Sequence, residues 1–331
     1  YVGMPPAVNS LDGAVVTDEY RYYKYNGTYN GFDIFGNGKE YICTEKVDIS
    51  EDNRERYAKI INSFAAAVPE AKTYSILVPT SAEFYSSNEK KPDYTAKFRD
   101  IYSRLSHKVY GVDVVSALSG HADERIYFNT DHHWTQLGAY YAYREFLKYG
   151  FEEIKPPECF KKETVDYYQG SFLEYTKGTD GNKFMQNTYD KLEMYFPSVK
   201  YSGESYYDQY LKEHIVPMLA IDTNYRNYDC FMDGDFPVEV YKTDNKNGKR
   251  LCIVKDSFGN AFAVWALNNY EEVYVIDYRR FNHYIGDSES YREFKISDFY
   301  RTAPFDDLII LNYPVTVSSD AELEALQKMC S

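Results

Sequence analysis

The chain has 331 residues, and its 51 acidic and 37 basic side chains give a formal net charge of -14. A surface with this charge repels nucleic acid over most of its area, which excludes nucleic acid as the main ligand. The longest apolar runs are strand-sized and fall short of the roughly 20 residues that cross a bilayer, so the sequence predicts a soluble protein with a full core.

The cysteine and tyrosine contents give information on compartment and ligand. The five cysteines are scattered, with no two at the spacing of a zinc knuckle, and we interpret them as ordinary thiols. The 37 tyrosines suit contact with wet, sugar-like ligands and also packing between β-hairpins, and composition leaves both open. The sequence begins at Tyr1 rather than at Met, which is compatible with a secretory leader ahead of it.

The first part of the chain alternates helix and strand patterns after an aromatic opening. Residues 20–41 contain aromatic residues broken by Asn-Gly pairs, which predict tight β-hairpins. Helical spacing of apolar residues predicts a helix over 54–68, and an apolar run that ends in proline predicts a strand over 73–79. A helix over 94–106 and a strand over 109–115 repeat this order. The alternation predicts a parallel sheet.

The segment TDHHWTQLGAYYAYREFLKYG begins at Thr130 and has helical periodicity. Thr130 or Asp131 is predicted to cap a helix that runs to about Tyr149, where Gly150 ends it. The polar motif is therefore expected at a helix N-terminus.

The second part of the chain leaves this rhythm and then returns to it. Over 155–249, prolines, glycines and short tyrosine-rich runs predict hairpins and loops. The remaining predicted elements are strands over 251–255, 272–277 and 307–312 and helices over 258–269 and 321–329.

The predicted organisation is a discontinuous α/β core that carries an insertion. A β-rich N-terminal segment covers 1–55, the core covers 56–154 and 225–331, and a β- and loop-rich insertion covers 155–224. The sequence has no repeat of fixed period and no low-complexity tract, which excludes solenoids and disordered tails.

Ser257 stands between a predicted strand and a predicted helix in VKDSFGNAF. A serine at this junction lies at the carboxyl edge of a parallel sheet, where open α/β folds bind ligands. The N–H groups of the helix start can stabilise an oxyanion, and the N–H of Ser257 is the one donor that the sequence identifies. Asp256 or Ser257 could equally be a simple helix cap, and the segment alone leaves the two interpretations open.

Asp131, His132, His133 and Trp134 form the second candidate group. A serine hydroxyl needs an imidazole to take its proton, and a carboxylate that fixes the tautomer improves that imidazole. Surface histidines at a capped helix, or zinc or iron ligands, are the alternatives. Because a metal needs more ligands and the chain has no HExxH pair, no metal or other cofactor is expected. Trp134 is interpreted as a wall of the site or as a core indole.

Four further polar residues lie near predicted strand ends. Thr80 and Ser81 are interpreted as turn or cap residues, Arg279 as a solvated or acid-paired residue, and Lys255 as ambiguous between these and a ligand contact. All four are left out of the candidate catalytic group.

The motifs TDHHWTQLGAYYAY and, far downstream, VKDSFGNAF with VIDYR resemble the DHHW family of bacterial envelope proteins, which is related to the SGNH hydrolases. They also resemble the proteins of alginate O-acetylation, in which a D-x-H-W motif precedes a D-S motif. The likeness covers roughly 71–150 and 225–312. It implies a three-layer α/β/α, flavodoxin-like fold with a circularly permuted SGNH motif order and a β-rich insertion.

The resemblance implies that Ser257 is the nucleophile, His133 the general base and Asp131 its orienting carboxylate. Ordinary SGNH enzymes space the acid and the histidine as D-x-x-H, whereas this chain offers D-x-H, so His132 stays an alternative base. His132 and Trp134 are expected to contact substrate. The glycine and asparagine of the SGNH oxyanion hole have no counterpart that a motif locates.

By the same resemblance, the protein is expected to be a serine-dependent O-acyl (acetyl) ester hydrolase or an O-acetyltransferase. Its substrate would be a polysaccharide or glycan of the envelope or extracellular space, and the protein would be an extracytoplasmic monomer linked to envelope polysaccharide machinery. The sequence does not separate hydrolysis from transfer. The alternative is a non-catalytic glycan-binding or assembly protein on the same fold.

Overall fold

An eight-stranded sheet forms the centre of the computed structural model, which describes residues 24–87, 90–281 and 293–330. The strands are β1 (Lys24–Tyr29), β2 (Phe32–Gly36), β3 (Tyr41–Glu45), β4 (Lys72–Leu77), β5 (Val109–Val112), β6 (Lys162–Tyr168), β7 (Asp190–Tyr195), β8 (Tyr201–Tyr206), β9 (His214–Met218), β10 (Val238–Thr243), β11 (Arg250–Lys255), β12 (Glu272–Asp277) and β13 (Asp307–Asn312).

The main sheet is mixed, with the order β5-β4-β13-β11-β12-β10-β8-β9. The five strands from β5 to β12 run parallel. At the other edge, β10, β8 and β9 are antiparallel. The predicted parallel sheet is confirmed for five strands. The antiparallel edge comes from runs that the sequence predicts only as hairpins and loops, because strand pairing across such distances leaves no local pattern.

Helices cover both faces of this sheet. The helices are α1 (Glu51–Ala67), α2 (Ala82–Tyr85), α3 (Tyr94–Ser103), α4 (Val114–Ser119), α5 (Gln136–Leu147), α6 (Ser171–Tyr175), α7 (Asn182–Gln186), α8 (Phe258–Ala266), α9 (Ile296–Thr302), α10 (Pro314–Ser318) and α11 (Asp320–Cys330). Alternate residues of β11 enter different cores: Leu251 and Ile253 pack with α5 and α8, whereas Cys252 and Val254 pack with α1 and α11. The expected mixed α/β fold is confirmed.

The predicted N-terminal hairpins are confirmed for the part of the segment that the structure describes. β1, β2 and β3 form a small antiparallel sheet. Asn30 and Gly31 join the first two strands with φ of 52° and 88°, the left-handed conformation that an Asn-Gly hairpin turn uses. Residues 1–23 of the predicted β-rich segment lie outside the described residues.

The helix after the histidine motif begins later than predicted. Its N-cap is Thr135, whose hydroxyl accepts the N–H of Gly138 at 3.2 Å, and the helix runs over Gln136–Leu147. The prediction that Thr130 or Asp131 caps it is wrong, because both side chains make long-range hydrogen bonds instead. The motif therefore lies in the loop before α5.

The segment 155–224 contains β6 and β7, which pair with each other, and the short helices α6 and α7. Its last two strands, β8 and β9, join the main sheet. The division of the chain into domains stays a prediction.

The cysteines and the lengths of the apolar helices bear on two further expectations. All five cysteines are free thiols, and Cys43, Cys230 and Cys252 are buried. Over the residues that the structure describes, helices long and apolar enough to span a membrane are absent.

Candidate active site

The candidate site lies at the carboxyl edge of the parallel strands. In the register of the sheet, Lys255 of β11 pairs with Asp277 of β12 and with Leu311 of β13. Ser257 follows two residues later, and it therefore stands between the ends of the two neighbouring strands. This is the edge at which open α/β sheets bind ligands.

Ser257 does not cap the helix that follows it. Its backbone is already helical and its side chain makes no capping hydrogen bond. Asp256 makes that contact, since its Oδ1 accepts the N–H of Phe258 at 3.1 Å and its Oδ2 accepts the N–H of Tyr313 at 2.9 Å. The cap interpretation applies to Asp256, and the hydroxyl of Ser257 is left for a different partner.

That partner is His133. The Oγ of Ser257 lies 2.8 Å from Nε2 of His133, and Nδ1 of the same ring lies 2.7 Å from Oδ1 of Asp131. Because an ionised carboxylate can only accept, Nδ1 carries the proton and Nε2 accepts from the serine hydroxyl. Two motifs 124 residues apart in the sequence thus converge in one hydrogen-bonded chain.

The second oxygen of Asp131 is held by the segment 155–224. Its Oδ2 accepts the hydroxyl of Tyr168 at 2.7 Å and the backbone N–H of Ser171 at 2.9 Å. Gly170 approaches so closely that a Cβ there would stand 2.2 Å from this oxygen. The loop from Tyr168 to Ser171 therefore fixes the carboxylate, as an outer layer of hydrogen bonds orients the side chains of functional sites.

The environment keeps Asp131 ionised. Burial opposes its charge, but the charge of His133 and the hydrogen bonds from His133 outweigh burial and hold the pKa of the carboxyl well below its usual range. An ionised carboxylate at Nδ1 is the group that can stabilise a positive charge on an imidazole ring.

Two aromatic residues fix the ring of His133 and the loop that carries it. The ring of Tyr228 stacks on that of His133, with centroids 3.7 Å apart and planes 5° apart. Trp134 is fully buried and donates its indole N–H to the carbonyl of Phe258 at 3.0 Å. Because Trp134 has no exposed surface, its expected contact with substrate is corrected: it is a core indole that ties the histidine motif to the serine loop.

His132 lies beside the hydrogen-bonded group of Asp131, His133 and Ser257. Its Nδ1 is 2.7 Å from the hydroxyl of Ser171 and 3.7 Å from Oδ1 of Asp131. Burial lowers the pKa of His132 to about 3, and the neighbouring charge of His133 adds to this. His132 is therefore neutral at physiological pH, and the ring that contacts the hydroxyl of Ser257 is that of His133.

A buried aspartate holds the backbone just before the histidine motif in place. Asp190 accepts the N–H of Asn129 at 2.9 Å, and its other oxygen accepts the N–H and the hydroxyl of Thr130 at 2.8 and 2.6 Å. These bonds occupy Thr130, which explains why this residue does not cap α5.

The sequence alone does not identify the residues that hold this hydrogen-bonded group in place, namely Tyr168, Gly170, Ser171, Asp190 and Tyr228. Four of the five lie in the segment interpreted as an insertion, and no motif marks any of them. The one local signal for the loop beside Asp131 is the polar run QGS after two tyrosines. Taken alone, this run is an ordinary loop sequence.

The histidine motif contains three side chains of the types that bind metal ions. Asp131, His132 and His133 have ligand atoms within 4.8 Å of one another and are the one such group found in the described part of the chain. However, Oδ1 of Asp131 and Nδ1 of His133 are 2.7 Å apart, whereas two ligand atoms on one zinc ion at about 2.0–2.2 Å are separated by roughly 3 Å or more. This distance suits a hydrogen bond, and the expectation of no metal stays a prediction.

A group of ion pairs lies next to the serine loop. The ammonium of Lys255 is fully buried and lies 2.9 Å from a carboxylate oxygen of both Asp235 and Asp277. Arg279 pairs with the same two carboxylates. Arg280 also lies 3.7 Å from Asp235. The acid-paired interpretation of Arg279 is confirmed, and Lys255 is ion-paired as well.

Comparison with known families decides the affiliation of the chain. The family model described as DHHW protein matches residues 37–276, which is most of the sequence. The chain belongs to the DHHW family. The expected family resemblance is thereby confirmed, and the match includes both the histidine motif and the serine loop of this DHHW protein. A search of curated proteins gave no match.

Solved structures resemble this DHHW protein over nearly its whole length. A DHHW family protein from Eubacterium siraeum is 26% identical with a TM-score of 0.78, over 92% of this chain and 97% of that one. PatB1 from Bacillus cereus, solved with a sulfonyl adduct, is 15% identical with a TM-score of 0.68, over 90% of this chain and 98% of PatB1. A second PatB1 structure is 17% identical with a TM-score of 0.64, over 88% and 99% of the two chains. The likeness to PatB1 is one of fold.

Proposed function

We propose that this DHHW protein is a serine-dependent enzyme that cleaves or transfers O-acyl (acetyl) esters of an envelope or extracellular polysaccharide. The observation that carries the proposal is the chain of hydrogen bonds from Asp131 through His133 to Ser257, with distances of 2.7 and 2.8 Å. Acyl transfer needs a nucleophile, a base and an orienting group in this order.

The first half of the reaction forms an acyl-enzyme. Oγ of Ser257 bonds to the ester carbonyl carbon while its proton passes to Nε2 of His133. The N–H of Ser257, which has no hydrogen-bond partner among the described residues, is the proposed donor to the resulting oxyanion. The bond from the carbonyl carbon to the leaving alcohol then breaks, and His133 returns its proton to that oxygen.

The second half of the reaction releases the acyl group. Water, or a sugar hydroxyl, gives its proton to His133 and attacks the acyl carbon, and Ser257 leaves as the hydroxyl again. With water the enzyme is an esterase, and with a sugar it is an O-acetyltransferase. Both share the triad, and they differ in whether an acceptor sugar displaces water from the site.

The proposal includes a permuted SGNH arrangement within a three-layer flavodoxin-like fold, an extracytoplasmic location and a monomeric state. The helices on both faces of the sheet and the motif order Asp131, His133, Ser257 support the fold assignment. Family membership supports the location and the link to envelope polysaccharide.

Serine-directed labelling tests the proposed function. A sulfonyl fluoride is a suitable probe because PatB1, which has a similar fold, was solved with a sulfonyl adduct. We expect one sulfonyl group per molecule, mapped to Ser257 by peptide mass spectrometry, and none on Ser257→Ala. The half-buried Ser63 lies on α1, and Ser63→Ala serves as the matched control that should still be labelled.

Two results would count against this function. An unlabelled wild-type protein that turns over no acetyl ester would favour the non-catalytic glycan-binding protein, and ester turnover that chelators abolish would favour a metal hydrolase.

A further inference from the structure

Two tyrosines border the candidate site, and the proposed chemistry uses neither. Tyr175 is the last residue of α6, is 42% exposed, and has its ring centroid 6.0 Å from that of His132. Tyr313 directly follows β13, is partly exposed, and has its ring 6.2 Å from the same imidazole. Because the ring of His132 lies 3.8 Å from that of His133, both tyrosine rings border the candidate site.

Both rings are held in place by other aromatic rings. Tyr175 stacks on Phe32 with centroids 5.3 Å apart and planes 20° apart. Tyr313 stacks on Phe258 at 4.7 Å and 27°, and its backbone N–H is bonded to Asp256. A fixed ring loses little conformational entropy when a ligand covers it, so such a surface is already organised for binding.

A carboxyl group stands on the same side. Glu45 is the register partner of Phe32 across β2 and β3, and opposite residues of an antiparallel pair project from the same face. Strand β3 is fixed beside the histidine motif, since the N–H of Cys43 donates to the carbonyl of Asn129 at 3.0 Å. Glu45 is half-buried, and burial raises its pKa to about 7, against the opposing charge of His133. The carboxyl can thus both accept and donate hydrogen bonds near neutral pH.

The charges around the serine do not favour an anionic sugar. The nearby cations Lys255, Arg279 and Arg280 are all paired with the carboxylates of Asp235 or Asp277. In its ionised form Glu45 adds negative charge, and the whole chain carries a net charge of -14. A uronate carboxylate would be repelled here, whereas a neutral ring would meet aromatic faces and one hydrogen-bonding carboxyl.

We infer that Tyr175, Tyr313 and Glu45 form a subsite for an uncharged hexopyranose ring of the glycan, and that the site discriminates against uronate polymers. The inference rests on the proposed function, because that function places a glycan ester at Ser257. The apolar face of the sugar stacks on the tyrosine rings, and one of its hydroxyl groups bonds to Glu45.

Binding to the Ser257→Ala protein tests this subsite without any turnover. Calorimetry would compare hexasaccharides of glucose, of N-acetylglucosamine and of mannuronate. We expect at least one uncharged hexamer to bind about tenfold tighter than the mannuronate hexamer. Adding Tyr175→Ala should weaken that binding about tenfold, whereas Tyr175→Phe, which keeps the ring, should not.

Two further variants sharpen the test. Tyr225 is also 42% exposed, and Tyr225→Ala serves as the matched surface control that should bind like the parent. Glu45→Gln keeps a hydrogen-bonding side chain but removes the charge. It should therefore reduce the difference in affinity between the uncharged hexamer and the mannuronate hexamer. The subsite is refuted if mannuronate binds as tightly as the uncharged hexamers, if neither uncharged hexamer binds, or if Tyr175→Ala binds like the parent.

The outcome is separable from that of the proposed function. Sulfonyl labelling of the wild-type protein reports on Ser257, whereas hexamer binding to Ser257→Ala does not depend on a nucleophile. Labelling with no sugar preference would refute the subsite alone, and a sugar preference without labelling would refute the enzyme alone.

Discussion

Replacing His133 with alanine should lower the turnover of an acetyl ester about 10⁴-fold or more, because the hydroxyl of Ser257 then has no base within reach. Nε2 of His133 lies 2.8 Å from that hydroxyl, and Oδ1 of Asp131 holds the other ring nitrogen. The measurement is the steady-state rate on p-nitrophenyl acetate at neutral pH, with the folded state checked by thermal unfolding.

Two other histidines provide the comparison. His107 is exposed, and His107→Ala should keep the wild-type rate. His132 contacts Ser171 rather than the nucleophile, so His132→Ala should cost far less than His133→Ala. If His132→Ala proved the more damaging of the pair, the role of base would pass to His132 and the assignment of His133 would be wrong.

Replacing Gly170 with alanine should lower the same rate about 100-fold while the protein stays folded, since a displacement of about 1 Å in a catalytic group has an effect of this size. The new Cβ would stand 2.2 Å from Oδ2 and 2.3 Å from Cβ of Asp131, so the carboxylate must move. The backbone of Gly170 has a negative φ of -103°, and its requirement for glycine is therefore steric.

Gly120 offers the matched control for this substitution. Its nearest neighbour to an added Cβ is the carbonyl of Ala117 at 3.7 Å, an ordinary contact, so Gly120→Ala should retain full activity. Activity of Gly170→Ala close to that of Gly120→Ala would show that the loop from Tyr168 to Ser171 does not position Asp131.

The parallel part of the sheet and its helices could be predicted from sequence because each element carries its own periodic pattern. The strand over 307–312 and the helix that begins at Phe258 were placed on local apolar spacing alone. The start of α5 was misplaced because Asp131 has the side chain of a helix cap, and only its contacts with Tyr168 and Ser171 direct it elsewhere. The helix-capping propensity of a residue type is a local property, and it carries no information on tertiary contacts of this kind.

The members of the candidate triad could be predicted because they lie in two recognisable motifs, one around His133 and one around Ser257. The contact between Ser257 and His133 depends on the order of strands in the sheet. The end of β11 and the loop before α5 come together only when the sheet is assembled. The support around it was not predictable. Tyr228 stacks on His133 from a three-residue 3-10 helix that no sequence pattern marks. Asp190 holds Thr130 from a strand that the sequence marks only as a tyrosine-rich run.

The central claim is that Ser257 carries the acyl group during turnover. Intact-protein mass spectrometry after brief mixing with an acetyl ester and an acid quench tests this directly, with peptide mapping to locate the adduct. The wild-type protein should gain the mass of one acetyl group on Ser257, and Ser257→Ala should gain none. Ester turnover with no acetyl on the protein, or with the acetyl on another residue, would contradict the claim.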